Sequence, residues 1–160
     1  DRFTWLEFRR VLFRSQQLDE AGHIQVGIIS YAVKYASALY GPFREAAGSD
    51  QFAGDRKHHQ LGFSQKREGV AKALQDIKEG ADAVIVKPGG WYGDMISRVR
   101  KKIDQPLLAY QVSGEYAMIK SASENGALNE AEAVYESLMS LRRAGADLII
   151  TYFAKKISFT

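Results

Sequence analysis

The chain has 160 residues, 46% of them hydrophobic, and a formal net charge of +3. That is enough for one domain with its own core. It contains no apolar run of about 18 residues that would make a transmembrane helix, no basic–apolar–small leader pattern, and no Lys/Arg block or motif that would mark a nucleic-acid binder. It has no cysteine, which excludes disulfides and thiolate metal sites within this chain and fits a cytosolic protein.

Asp1 to Ser15, DRFTWLEFRRVLFRS, mixes arginines and aromatics without a helix or strand period. Leu6 to Ser15 can be back-translated onto the constant part of a short-read sequencing adapter, with Trp5 then requiring a stop codon read as tryptophan. The stretch is therefore expected to be non-native, the alternative being an unusual native segment. It contributes Arg2, Arg9, Arg10 and Arg14 against Asp1 and Glu7, so only +1 of the net charge belongs to residues 16–160. Independent reads across the Ser15–Gln16 junction decide the question: a continuous gene encoding these residues would refute the adapter origin.

From Gln16 the pattern becomes periodic. Gln16 to Gly22 reads as a helix tail closed by glycine. Val26 to Ser30 is a strand candidate, with Lys34 close behind. Tyr40-Gly41-Pro42-Phe43-Arg44 interrupts any helix at Pro42. Gly48 to Gly62 is polar and glycine-bearing, a long connection of the kind that often covers an active site. Ser64 is expected to cap a helix running to Glu79, with Val70, Ala73, Leu74 and Ile77 on one face and Gly80 at its end. Ala83-Val84-Ile85-Val86 is a short unbroken apolar run, the mark of a strand buried on both faces, and it ends in Lys87-Pro88-Gly89-Gly90. Trp91 to Lys102 reads as an amphipathic helix with Met95, Ile96 and Val99 as its stripe. Leu107 to Val112 is a strand ending in Ser113-Gly114, and Glu115 to Glu124 a helix. Asn129 caps a long helix to Ala144 that Gly145 closes, and Leu148 to Phe153 is the last strand. Gly80-Ala81-Asp82 and Gly145-Ala146-Asp147 recur as the same helix-to-strand turn. Four strands alternating with helices predict parallel βαβ units. They form either an open doubly wound sheet or half of a (β/α)8 barrel.

The strand ends carry Lys34, Lys87, Ser113 and Tyr152, and the connection after the first strand adds Arg44, Arg56, Lys57 and Gln60. In a barrel these face one mouth. Two lysines close together in an apolar mouth disfavour each other's charge, and desolvation acts the same way. A lysine whose pKa falls from roughly 10.4 to roughly 7 is often enough a free amine to attack a carbonyl. Arginine offers a planar fork for a carboxylate, and serine and tyrosine hydroxyls can receive a second one. The implied substrate is a small keto or amino-keto acid joined to lysine as a Schiff base. Each residue taken alone has a plainer reading: surface ion pairs for Arg44 and Arg56, a helix cap for Ser113, core packing for Tyr152. His58 and His59 are adjacent and diverge in an extended chain, so they make a poor metal pair.

The motifs Ser30-Tyr31-Ala32-Val33-Lys34-Tyr35-Ala36-Ser37, Tyr40-Gly41-Pro42-Phe43-Arg44, Gly54-Asp55-Arg56-Lys57, Val86-Lys87-Pro88, Gln111-Val112-Ser113-Gly114-Glu115-Tyr116-Ala117-Met118, Arg143-Ala144-Gly145-Ala146-Asp147 and Thr151-Tyr152-Phe153-Ala154 closely resemble the porphobilinogen synthase (δ-aminolevulinic acid dehydratase) family. The resemblance covers about residues 18 to 158, in order. It implies the second half of a TIM barrel, and condensation of two 5-aminolevulinate molecules to porphobilinogen with loss of two waters. By resemblance Lys87 forms the principal Schiff base and Lys34 is the second active-site lysine. Arg44, Arg56 and Gln60 would hold one substrate carboxylate, Ser113 and Tyr152 the other, and 40–62 would be the active-site lid. The full-length family member is expected to be a cytoplasmic homo-oligomer with no membrane or nucleic-acid partner.

The chain also departs from the family. The first half-barrel, with its acidic residues and its metal loop, is not in this sequence. The tyrosine common before the lid glutamine is His59 here, and Trp91-Tyr92-Gly93 is unusual. Zinc or magnesium occurs in the family, but no metal or other cofactor is expected within this chain: it has no cysteine, and the place of a magnesium-linked glutamate reads Ala71-Lys72. The half-barrel alone is expected to be inactive. The alternatives are a class I aldolase-type Schiff-base lyase and a non-catalytic α/β fragment.

Overall fold

The structure, a computed structural model, describes residues 11–46 and 60–157. Four strands, β1 (Ile29–Lys34), β2 (Ala83–Lys87), β3 (Leu107–Tyr110) and β4 (Leu148–Ile150), form one parallel sheet in the order β1-β2-β3-β4. Every strand lies beside its neighbour in sequence. A doubly wound sheet reverses its order at a switch point, so the unbroken order selects the barrel-type arrangement over the open doubly wound one. The sheet is not closed.

The helices are α1 (Val11–Glu20), the short α2 (Gly41–Ala46), α3 (Arg67–Lys78), α4 (Gly93–Arg100), α5 (Ser113–Glu124) and α6 (Glu130–Ala144). On one face of the sheet Val33, Val84, Val86, Leu107 and Ala109 pack against Ala73 of α3, Met95, Ile96 and Val99 of α4 and Leu141 of α6. On the other face Ala83, Ile85 and Leu108 meet Tyr110 and Ile150. Residues 83–86 are thus buried on both sides, as their unbroken apolar run predicts. The second face is only partly covered. Ile29 and Leu148, which pair with Ala83 and Leu108 in register, are 52% and 57% exposed.

The repeated Gly-Ala-Asp turn has a physical job. Gly80 and Gly145 close α3 and α6 with φ of +100° and +113°, a conformation that a Cβ disfavours. The aspartate then reaches across to the neighbouring strand. Asp82 Oδ2 accepts from the Ile28 N–H at 2.6 Å, and Asp147 Oδ2 from the Leu107 N–H at 2.8 Å. Their own N–H groups donate to the Ile28 and Leu107 carbonyls at 2.9 and 2.8 Å. Two alternate strands, β2 and β4, are therefore stapled to their predecessors by the same three residues.

Several boundaries differ from the sequence reading. The first strand begins at Ile29, because the Asp82 side chain and backbone already hold Ile28, and it runs on to include Lys34. Ser64 does not cap α3. Lys66 occupies that position without a side-chain bond, and Gln65 turns back to accept from the Gly62 N–H at 2.6 Å. Pro42 starts a helix instead of ending one, since the first turn has no use for its missing N–H. The 91–102 helix is a 3-10 turn (Gly90–Tyr92) followed by α4. Strands β3 and β4 stop at Tyr110 and Ile150, so Ser113 and Tyr152 lie just beyond their ends. Helix α1 begins within the stretch that lacks a clean period and crosses Ser15–Gln16.

Asp147 also pairs with Arg100 at 2.7 Å, whereas no ion pair joins Asp82 among the described residues. Asp147→Ala should therefore lower stability by ~1–2 kcal/mol in urea unfolding and Asp82→Ala by less. An equal or reversed order would contradict this account of the staples.

Candidate active site

The chemistry-bearing side chains gather at the carboxyl ends of β1 and β2. Lys34 and Lys87 are direct partners in register. The register shifts between Ser30 and Val33, which puts Tyr31 and Lys34 on one face and turns Val33 into the core. The Lys87 ammonium lies 4.0 Å from the centre of the Tyr110 ring, 5.3 Å from Tyr31 and 5.5 Å from Tyr40. Tyr40 is shared: Lys34 Nζ and the Arg44 guanidinium stand 5.8 and 5.5 Å from the same ring. Its hydroxyl donates to the Lys87 carbonyl at 3.2 Å.

Burial, and after it the charge of Lys34, pushes the Lys87 amine down to about 8. The three ring faces act in the opposite sense by favouring the cation. At pH 7 a lysine titrating there is neutral on the order of 300 times more often than an ordinary one. Burial pushes the Tyr40 hydroxyl up, so it stays protonated and remains a donor. Tyr110 is also raised, first by burial and then by the neighbouring Tyr152.

Tyr152 is 46% exposed and rests its ring on Tyr116, with centroids 5.6 Å apart. It reaches the mouth through Tyr110. The turn that carries it is fixed by Thr151, whose hydroxyl donates to Gln111 Oε1 at 2.6 Å and accepts from the Phe153 N–H at 3.1 Å. Ser113 opens α5, and its hydroxyl is occupied: it accepts from the Phe43 N–H at 3.1 Å and lies 3.5 Å from the Leu39 carbonyl. Gly114 makes that approach feasible, since a Cβ there would sit 2.5 Å from the Leu39 oxygen. Gln60 follows the undescribed part of the long connection, and its Oε1 is buried without a hydrogen-bond partner. Arg56, Lys57, His58 and His59 lie outside the described residues.

The structure thus brings Lys34, Lys87 and Arg44 around one tyrosine, ties Ser113 to the segment carrying Arg44, and links Tyr152 to Lys87 through Tyr110. Sequence reasoning missed the rings of Tyr31, Tyr40 and Tyr110. Two-residue alternation along Leu108 and Tyr110, which share the face of Ile85 and Lys87, was the available signal for Tyr110. Among the described residues no three His, Asp or Glu side chains come together in a way that could hold a metal ion. With no cysteine in the chain, these residues do not fit a zinc or magnesium centre.

The delta-aminolevulinic acid dehydratase family matches residues 9–159. The chain belongs to this family. It is 52% identical over 141 residues to the delta-aminolevulinic acid dehydratase of Halalkalibacterium halodurans, covering 88% of this chain and 43% of that protein. To the Escherichia coli enzyme of the same name it is 52% identical over 139 residues, covering 87% of this chain and 43% of that protein. In three dimensions it resembles the Toxoplasma gondii delta-aminolevulinic acid dehydratase (porphobilinogen synthase), crystallised with its product porphobilinogen. The TM-score is 0.89 at 46% identity, covering 92% of this chain and 42% of the other. The chain spans less than half the length of these relatives.

Lys34→Met removes the like charge beside Lys87 and should raise the Lys87 titration midpoint above about 8. The rise should be less than half of the total depression, because burial is the larger cause. The pH dependence of amine modification, mapped to the Lys87 peptide, measures it. A midpoint that stays put or falls would show that the two amines do not interact.

Proposed function

We propose that this chain supplies the lysine half of a porphobilinogen synthase active site. In that reaction two molecules of 5-aminolevulinate condense to porphobilinogen and two waters leave. The observation that carries the reading is the pair of register-matched lysines, one of them depressed to about 8, in a tyrosine-lined mouth at the strand ends. The family membership and the product-bound relative support it.

On this reading the neutral Lys87 amine attacks the ketone carbon of one substrate. The nitrogen lone pair forms the C–N bond, the carbonyl oxygen takes one proton from that nitrogen and a second from solvent, and its loss as water leaves the iminium, which still carries one N–H. The ring faces that favour the ammonium also favour this cation. Lys34 is the second amine and holds the second substrate in the same way. Arg44, Arg56 and Gln60 bind one carboxylate, the arginines as planar forks and Gln60 as an amide donor whose free Oε1 is then re-solvated or paired. Ser113 and Tyr152 bind the other carboxylate through their hydroxyls. For Ser113 this means trading its hold on Phe43 and Leu39 for the ligand. The full-length protein is a cytoplasmic homo-oligomeric lyase on this proposal. The chain spans less than half the length of its relatives, and what is proposed for it is substrate trapping at Lys87, not turnover.

Borohydride trapping tests the proposal. 5-Aminolevulinate and borohydride should label Lys87, found by peptide mapping, with labelling that rises with pH through about 8. Lys87→Met should abolish the label at that peptide. An adduct that forms only with other keto acids points to an aldolase-type lyase. No adduct on a folded chain rejects Schiff-base chemistry for it.

A further inference from the structure

Glu115 is the one charged side chain among the described residues buried as deeply as 5% exposure, and no ion pair joins it there. Its carboxylate meets backbone instead. Oε2 accepts from the Val112 N–H at 2.6 Å and Oε1 from the Gly90 N–H at 2.6 Å; burial pushes the carboxyl up, and the backbone N–H groups around it oppose that rise. A Cβ on residue 90 would come 2.5 Å from Oε1, so a larger residue there would push the carboxylate aside.

These donors sit at informative places. Gly90 follows Lys87-Pro88-Gly89 at the end of β2, and Val112 precedes Ser113 after β3. Gly89 donates to the Tyr110 carbonyl at 2.8 Å, and Tyr110 is the ring nearest the Lys87 amine. One carboxylate therefore clasps the segment leaving Lys87 to the segment leaving Tyr110. Around the amine itself stand Lys34 and Tyr31 from β1, Tyr40 from the connection after it, and Tyr110 from β3.

We propose that Glu115 is a positioning residue for Lys87, holding the two strand-end loops together so that the amine stays over Tyr110 and shielded from water. The proposal rests on the reading of Lys87 as the nucleophile. An ionised carboxylate presents acceptors only and can take several N–H donors at once. A glutamine of the same shape presents an NH2 to one of those N–H groups, so one loop must let go.

The experiment is an NMR titration of Lys87 in the full chain, its resonance assigned with Lys87→Met; it requires no turnover. In Glu115→Gln the loosened loop should let water reach the amine and raise its midpoint from about 8 by on the order of one unit, a roughly tenfold loss of free amine at neutral pH. Loss of a negative charge acting through space would lower the midpoint, so the sign separates positioning from simple electrostatics. Gly90→Ala disturbs the same contact with Glu115 intact and should raise the midpoint too. In the unaltered chain the Gly90 and Val112 amides should be protected from hydrogen exchange. A midpoint unmoved or lowered in a folded variant, or unprotected amides at both positions, overturns the proposal. If trapping with 5-aminolevulinate fails while the midpoint rises, the reading of the reaction falls and the clasp stands. A trapped adduct with an unmoved midpoint has the opposite meaning.

Discussion

Two lysines held side by side at the ends of adjacent parallel strands are the constraint on which this mouth depends. Register alone sets Lys34 opposite Lys87, and two ammonium groups so placed each make the other's charge costlier. The fold accommodates them in three ways. It half-buries Lys87, so that shedding a proton is the easier response. It lines the pair with ring faces, which soften the cost when the proton stays on. It also fixes the backbone just past Lys87 with the Tyr40 hydroxyl, the Tyr110 carbonyl and the Glu115 carboxylate.

The opposing influences on Lys87 explain why its amine is moderately rather than extremely depressed. Burial and Lys34 push one way, and Tyr31, Tyr40 and Tyr110 push the other. A reactive amine benefits from that balance. On the Schiff-base proposal it must be neutral often enough to attack, yet the iminium that follows is again a cation in the same place. Rings that favour positive charge suit the second requirement as burial suits the first.

Much of this was legible in the sequence, for identifiable reasons. The run Ala83 to Val86 announced a strand buried on both faces, and Lys87 followed it directly. Asn129 and Gly145 marked the ends of the longest helix, and its cap bond is present, Asn129 Oδ1 accepting from the Glu132 N–H at 3.1 Å. What stayed illegible was set by distant partners. No local pattern says that Lys34 lies inside β1, because the bulge after Ser30 breaks the two-residue alternation that would have shown it. Ser64 resembles a cap, but Gln65 competes for the turn through Gly62. Tyr40 joins the site through a bond to a residue 47 positions away, and Glu115 through one spanning 25. Short-range periodicity carries neither.

The Gly-Ala-Asp staples have a consequence for how the sheet is assembled. Of the strands, each aspartate binds the one before it, Asp82 at Ile28 and Asp147 at Leu107. Each staple therefore joins one pair of neighbouring strands, β1 with β2 and β3 with β4, a nearest-neighbour link of the kind that gives a stack of repeats its cohesion. An architecture joined in this way has no single keystone. A run of consecutive units keeps its internal seams wherever the run is cut, and loses only those seams that lay at the cut itself.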